Sequence, residues 1–377
     1  MPGPHSLRAA SVEAVSDAGL PDPAAAGMDS DALEHAVELA AAWSPRGQLT
    51  VIRHGRLALD VAFGCAPDAL FWLFSASKPF VAVLVLQLVE RGLIGWDDPI
   101  ARYWPEFAEN GKERITVRQV LQHRTGMPTA GSALGDALAM SNWRQSIGRI
   151  ERSAPRLDPL RGPAYQFLIY GFVLGELVRR VTGEAVDTAL RREVLDPLRL
   201  HDTFLGLPDA AWPRHVRLHV DGPGGGITQS VLNRRATRAA IIPAAGVSST
   251  GRDLAAFYQA LLRDHAGDGP GILRRQTLSE ALVPSSDRQP DLFARAPIRW
   301  SAGFQLGGPR LGARSGPMGR TSSSTTFGHN GSNCCMGWAD PRRGLVVAYL
   351  TDRVPRPPAG IRQHARVSDA IIAAVRD

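Results

Sequence analysis

The chain has 377 residues, 44% of them hydrophobic, with a net charge of +7 and a sequence pI near 9.9. That apolar content suffices for a sizeable core, arranged as one large domain or two packed lobes. No run of about 18 uncharged apolar residues occurs, which argues against a membrane-spanning helix; the basic residues are interleaved with acids and accompany no zinc-finger spacing or phosphate loop, which argues against a nucleic-acid partner.

Residues 1–30 are rich in Ala, Pro and Asp and lack a basic start followed by an apolar run. They are expected to be an extension rather than a secretory leader, with the cytoplasm as the location. Residues 48–54 and 56–63, joined at Gly55, have the composition of a β-hairpin. After Pro67-Asp68 comes an apolar run over 80–90 that suits a buried helix, with Ser75 at the N-cap position, Pro79 in the first turn and Gly92 at the end. From 97 to 233 the pattern is helical, with segments at 116–123, 165–182 and 188–195 and a flexible connection at 221–226. An amphipathic helix is expected over 253–263, introduced by Ser249 and Thr250. The last third changes character: strands are expected at 300–306, 325–329, 334–339 and 345–352, a mobile loop at 307–324 and a closing helix at 362–375.

Strands at both ends with helices between predict a mixed α/β (α+β) protein, one antiparallel sheet flanked by helices with an all-helical lobe inserted. The α/β lobe is expected to comprise 31–95 and 235–377, the helical lobe 96–234. Three cysteines, Cys65, Cys334 and Cys335, give no disulfide framework, and the last two are expected only to pack.

The positive charge is nearly all arginine; the chain has two lysines, Lys78 and Lys112. Lys78 falls three residues after Ser75, and residues three apart on a helix share a face. A serine hydroxyl is a weak nucleophile until a base takes its proton. Lysine can be that base only if desolvation or nearby positive charge lowers its pKa. Phe71, Trp72, Phe74, Phe80 and Val81 could supply the dry setting. There is no G-x-S-x-G elbow and no H-E-x-x-H metal spacing. No metal or organic cofactor is expected.

Downstream segments extend the pattern. Phe74-Ser75-Ala76-Ser77-Lys78-Pro79-Phe80, Gly95-Trp96-Asp97-Asp98-Pro99, the stretch from Ile115 to Met127 ending in His123-Arg124-Thr125-Gly126, and Leu195-Asp196-Pro197-Leu198-Arg199-Leu200-His201-Asp202-Thr203 follow one another in order. Together they resemble the serine β-lactamase and penicillin-binding-protein superfamily, in its class C and esterase branches, from about Gly47 to Leu350. The resemblance implies Ser75 as nucleophile, Lys78 as its activator and a tyrosine that shuttles the proton. Counting back from Leu174-Gly175 places that tyrosine at Tyr165, with Tyr170 as the competitor. A Lys78 cation nearby would favour its phenolate.

The family's third element, usually K-T-G on a strand, aligns with His329-Asn330-Gly331 ahead of Ser332. The resemblance implies an oxyanion hole from the backbone N–H groups of Ser75 and Ser332, with His329, Asn330 and Gly331 lining the substrate site and Gly331 admitting the substrate carbonyl. Two departures matter. Phe167 stands where the family has an asparagine, and neutral His329 where it has a fixed cation. Both tilt away from β-lactams and D,D-peptides towards uncharged esters or thioesters. The aromatics Phe71, Trp72, Phe167, Phe172 and Trp338 agree with an apolar pocket. His123, His201, His215 and His219 are expected to be structural or surface residues. Water as acceptor would make an esterase, an alcohol or amine an acyltransferase. A non-catalytic sensor is the rival in which Lys78 is dispensable.

Overall fold

The computed structural model describes residues 20–268, 271–286, 289–308 and 316–376. Its frame is a six-stranded antiparallel sheet drawn from both ends of the chain. The hairpin β1 (Gly47–Arg53) and β2 (Arg56–Phe63) turns at His54 and Gly55, both at positive φ. The late strands are β3 (Gln305–Leu306), β4 (Phe327–Gly331), β5 (Cys335–Asp340) and β6 (Leu345–Thr351), and the sheet runs β2-β1-β6-β5-β4-β3. Pairing of β1 with β6, Gly47 opposite Thr351 and Arg53 opposite Leu345, joins the N-terminal hairpin to the C-terminal strands.

Side chains alternate across a strand, so β6 serves two cores. Leu345, Val347 and Tyr349 face a layer built from Leu33, Ala36 and Ala40 of helix α1 (Ser30–Ala41) and from Val367 and Ile371 of the C-terminal helix Ala359–Ala373. Val346, Ala348 and Leu350 face the main core, with Leu254 and Phe257 of the helix Gly251–Ala266 and most of α2 (Lys78–Glu90). Every residue of α2 from Lys78 to Leu88 is buried, as its all-round apolar sequence requires.

Several expectations shift. Ser75 is not an N-cap: residues Phe74–Ser77 form a single 3₁₀ turn ahead of α2, with no side-chain cap. The helix α3 begins late (Ile169–Thr182), leaving Tyr165 in an extended segment before it. Residues Gly225–Leu232 are helical, where a flexible connection was expected. The expected strand at 300–306 shortens to β3, with Trp300 making one isolated bridge to Gln305. Of the expected extension, 1–19 lie outside the described residues, while 20–28 pack on the molecule: Asp22 N–H bonds Leu57 O, and Met28 bridges Val375. Of the loop at 307–324, residues 309–315 lie outside the described residues; its flanks are fixed, with Ser322 Oγ accepting from Gly308 N–H and Ser323 Oγ donating to Asp340.

Between 96 and 234 the described elements are mainly helical, but Phe204–Leu205 joins Phe71–Trp72 and Val247–Ser249 in a small three-stranded sheet. That sheet leads the chain into the Ser75 turn. Among the described residues no helix is long and apolar enough to cross a membrane.

Candidate active site

The 3₁₀ turn carrying Ser75 starts at Phe74, whose φ of 50° is a strained left-handed conformation for a bulky residue. Leu73 N–H is tied to Val247 O, and Ala76 N–H to Leu73 O. The turn also lies against β4: a Cβ on Gly331 would meet Leu73 O at 1.9 Å. Only glycine permits that approach, so Gly331 brings the strand to the turn rather than merely clearing room for a substrate.

Three polar atoms converge here. Tyr165 Oη lies 2.5 Å from Ser75 Oγ, and Lys78 Nζ lies 2.8 Å from Tyr165 Oη and 3.2 Å from Ser75 Oγ. Ser75 and Tyr165 are partly exposed as residues, whereas Lys78 is fully buried. Tyr170 is fully buried, and its hydroxyl has no partner among the described residues. The hydroxyl within reach of Ser75 therefore belongs to Tyr165.

Lys78 is 0% exposed, and burial holds its amine well below the ordinary lysine value. Its remaining contacts are the carbonyls Phe167 O at 2.8 Å and Ala244 O at 3.3 Å. A neutral amine has two N–H donors and one lone pair. In that form the two carbonyls can take the donors, which leaves the lone pair for the two hydroxyls; the ammonium would instead donate to them. Ala244 reaches this position because Gly171 lets its segment press onto α3; a Cβ there would meet Ala244 N at 2.1 Å.

Burial also pushes the Tyr165 phenol above its ordinary value, against the expectation that a lysine cation would favour a phenolate. Burial thus opposes charge on both groups, the amine of Lys78 and the phenol of Tyr165.

The segment bearing Tyr165 belongs to no helix or strand, yet each of its four successive N–H groups has an acceptor. Ala164 bonds His123 O, Tyr165 bonds Asp291 Oδ2, Gln166 bonds His123 Nδ1 and Phe167 bonds Pro128 O. His123 is buried and held well below its usual pKa, first by burial and then by Lys78. Its position beside the phenol, with ring centroids 5.0 Å apart, is a role that its spacing did not reveal. Asp291 and Trp300 were likewise missed, because nothing local in sequence ties them to Tyr165.

His329 on β4 is 1% exposed, with Nδ1 2.8 Å from Asn330 O and its ring 6.4 Å from that of Tyr165. Burial, reinforced by Lys78, takes its pKa down to about 3, so the ring is neutral. Its buried Nε2 has no partner among the described residues. The Asn330 side chain is engaged with Asn333 (2.7 and 3.0 Å), closing the turn that carries Ser332 instead of reaching outward. Ser332 and Asn333 both take positive φ, as a tight hairpin turn demands. Ser332 is exposed, and among the described residues neither its N–H nor that of Ser75 donates within the protein.

The aromatic expectation needs correcting. Phe71, Trp72, Phe172 and Trp338 are at most 2% exposed and belong to the cores. Trp72 stacks on Phe74 and lies under the Arg238 guanidinium. Phe167 is the one of the five that is partly exposed, and it contributes its carbonyl to Lys78. Among the described residues no cluster of His, Cys, Asp and Glu suited to a metal occurs.

Comparison with known proteins gives the family and the fold. The family model described as Beta-lactamase matches residues 32–371. The chain is 29% identical over 349 residues to the esterase/beta-lactamase LipL of Mycobacterium tuberculosis, covering 82% of this chain and 78% of that protein. A penicillin-binding protein homologue from Caulobacter crescentus superposes with a TM-score of 0.78 at 27% identity, over 92% of this chain and 99% of that one. A family VIII carboxylesterase shares the fold, with a TM-score of 0.76 at 23% identity over 92% of this chain and 99% of that one.

Proposed function

This chain belongs to the beta-lactamase family, and from that premise we propose that it is a serine hydrolase of small, uncharged carboxylic esters working through an acyl-enzyme on Ser75. The observation that carries the reading is the triangle of Ser75 Oγ, Tyr165 Oη and Lys78 Nζ, with the amine fully buried and held well below the ordinary lysine pKa. In acylation Ser75 Oγ attacks the ester carbonyl carbon and its proton passes to the Lys78 lone pair, directly or through Tyr165. The carbonyl oxygen, now an oxyanion, is held by the Ser75 and Ser332 N–H groups. The carbon–oxygen bond to the alcohol then breaks, and Tyr165 gives the departing alkoxide its proton while recovering one from Lys78. Water repeats the sequence in reverse, attacking the acyl carbon and returning Ser75 Oγ–H.

The substrate class follows from what the site lacks. Among its described residues neither Phe167 nor His329 offers a fixed charge, and a histidine with a pKa of about 3 does not bind a carboxylate as a cation. A thioester fits the same chemistry. An alcohol or amine reaching the acyl-enzyme ahead of water would make the reaction an acyl transfer.

The test is intact-protein mass spectrometry after brief exposure to a p-nitrophenyl ester, beside Ser75→Ala. A single acyl adduct, absent from the variant, is the expected result; its decay with and without added alcohol or amine separates hydrolysis from transfer. No adduct and no turnover in the unmodified protein would reject the reading in favour of a non-catalytic sensor.

A further inference from the structure

Asp291 is fully buried, and all its partners are N–H donors. Oδ2 accepts from Tyr165 N–H at 2.9 Å and from the Trp300 indole at 3.0 Å; Oδ1 accepts from Phe293 N–H at 2.9 Å and Ala294 N–H at 2.7 Å. Among the described residues no cation forms an ion pair with it. A carboxylate can accept all four bonds. A carboxamide cannot, because its –NH₂ end would face two donors whichever way it turned.

The same carboxylate governs the tyrosine twice. It fixes the Tyr165 main chain directly, and it aims the Trp300 indole, on which the Tyr165 ring lies with centroids 5.4 Å apart and planes 6° from parallel. Trp300 is itself 1% exposed and packs edge-to-face with His123, ring centroids 4.5 Å apart. Neither Asp291 nor Trp300 makes a hydrogen bond to Ser75 or Lys78 among the described residues; of the three site groups, Tyr165 is the one they touch.

We infer that Asp291, through Trp300 and the Tyr165 main chain, is the positioning residue that holds the phenol where it delivers a proton to the leaving alkoxide. The inference rests on the shuttle role proposed for Tyr165. Its consequence is selective. An alkoxide needs that proton to depart, whereas p-nitrophenolate leaves without it. Small displacements of a reacting group are costly: a misplacement of about 1 Å can lower a rate by about a hundredfold.

The experiment measures kcat/KM, which reports steps through acylation, on ethyl butyrate and p-nitrophenyl butyrate. The proteins are wild type, Asp291→Asn, Trp300→Phe and Tyr165→Phe, each corrected for its folded fraction. Asp291→Asn is expected to lose about 10- to 100-fold more activity on the ethyl ester than on the p-nitrophenyl ester. Trp300→Phe, which keeps a ring but removes the indole donor, is expected to show the same bias at smaller size, and it decides the matter if Asp291→Asn does not fold. Equal losses on both esters, or none, would overturn the inference, since damage to the fold alone does not sort substrates by leaving group. A biased loss in Tyr165→Phe without one in the other two variants would remove only the positioning role. No bias in Tyr165→Phe would remove the shuttle role and this inference with it.

Discussion

The chemistry of the site turns on one side chain whose charge state is set by burial. Lys78 has no carboxylate partner among the described residues to hold its proton, so desolvation acts unopposed and the amine deprotonates well below the ordinary lysine value of 10.5. The direction of the pH effect follows. Below the Lys78 pKa the ammonium has no lone pair for Ser75, so kcat/KM should fall as the pH drops through that value and level off above it. The acid limb of the profile should therefore lie far below the ordinary lysine range; a limb only near that range would contradict a neutral resting amine. Lys78→Arg provides the control. A guanidinium keeps a cation but does not deprotonate, so activity should fall about 10²- to 10⁴-fold at every accessible pH.

At the scale of elements, the site exists because two pairs of backbone segments approach more closely than side chains normally allow. Gly331 lets β4 lie against the Ser75 turn, and Gly171 lets the 243–244 segment reach α3. Gly331→Ala would drive a methyl group into Leu73 O, 1.9 Å from the added Cβ. Separation of β4 from the turn would shift Ser332 away from Ser75. Overpacking of this kind costs about 1–3 kcal/mol, but the loss of activity should exceed the lost stability, because the two N–H groups proposed as oxyanion donors move apart even in folded molecules. Comparing kcat of the folded fraction with the urea midpoint checks this. A variant that is destabilised yet fully active when folded would show that the approach is structural only.

For the whole molecule, the sheet separates two cores with different duties. The main core carries α2 and the site, whereas the second is closed where residues 28–29 meet residues 374–375, with Asp29 N–H bonded to Ala374 O and Met28 bridged to Val375. Ile371 is buried in the second core. Ile371→Ala should cost about 2–5 kcal/mol in urea unfolding while leaving the specific activity of folded protein unchanged. An unchanged urea midpoint, or a loss of activity in proportion to a lost site, would show that the two cores do not divide the work in this way.

The sequence by itself determined the elements whose signal is local: the hairpin around Gly55, the buried helix after Ser75, the three strands after residue 324, and the three-residue spacing that puts Lys78 beside Ser75. It also determined the order of motifs from which the family resemblance was drawn. It was silent on what depends on through-space contact. The extended segment at 164–167 has no periodicity because its N–H groups bond His123, Asp291 and Pro128 instead of its own neighbours. Trp72 has the same apolar character whether it lines a pocket or fills a core, and only packing showed that it is buried. Tyr165 and Tyr170 are separated by which hydroxyl reaches Ser75, and the lowered pKa of Lys78 is set by how much water the fold excludes. Patterning is written into neighbours along the chain; distances and desolvation arise only when remote segments meet.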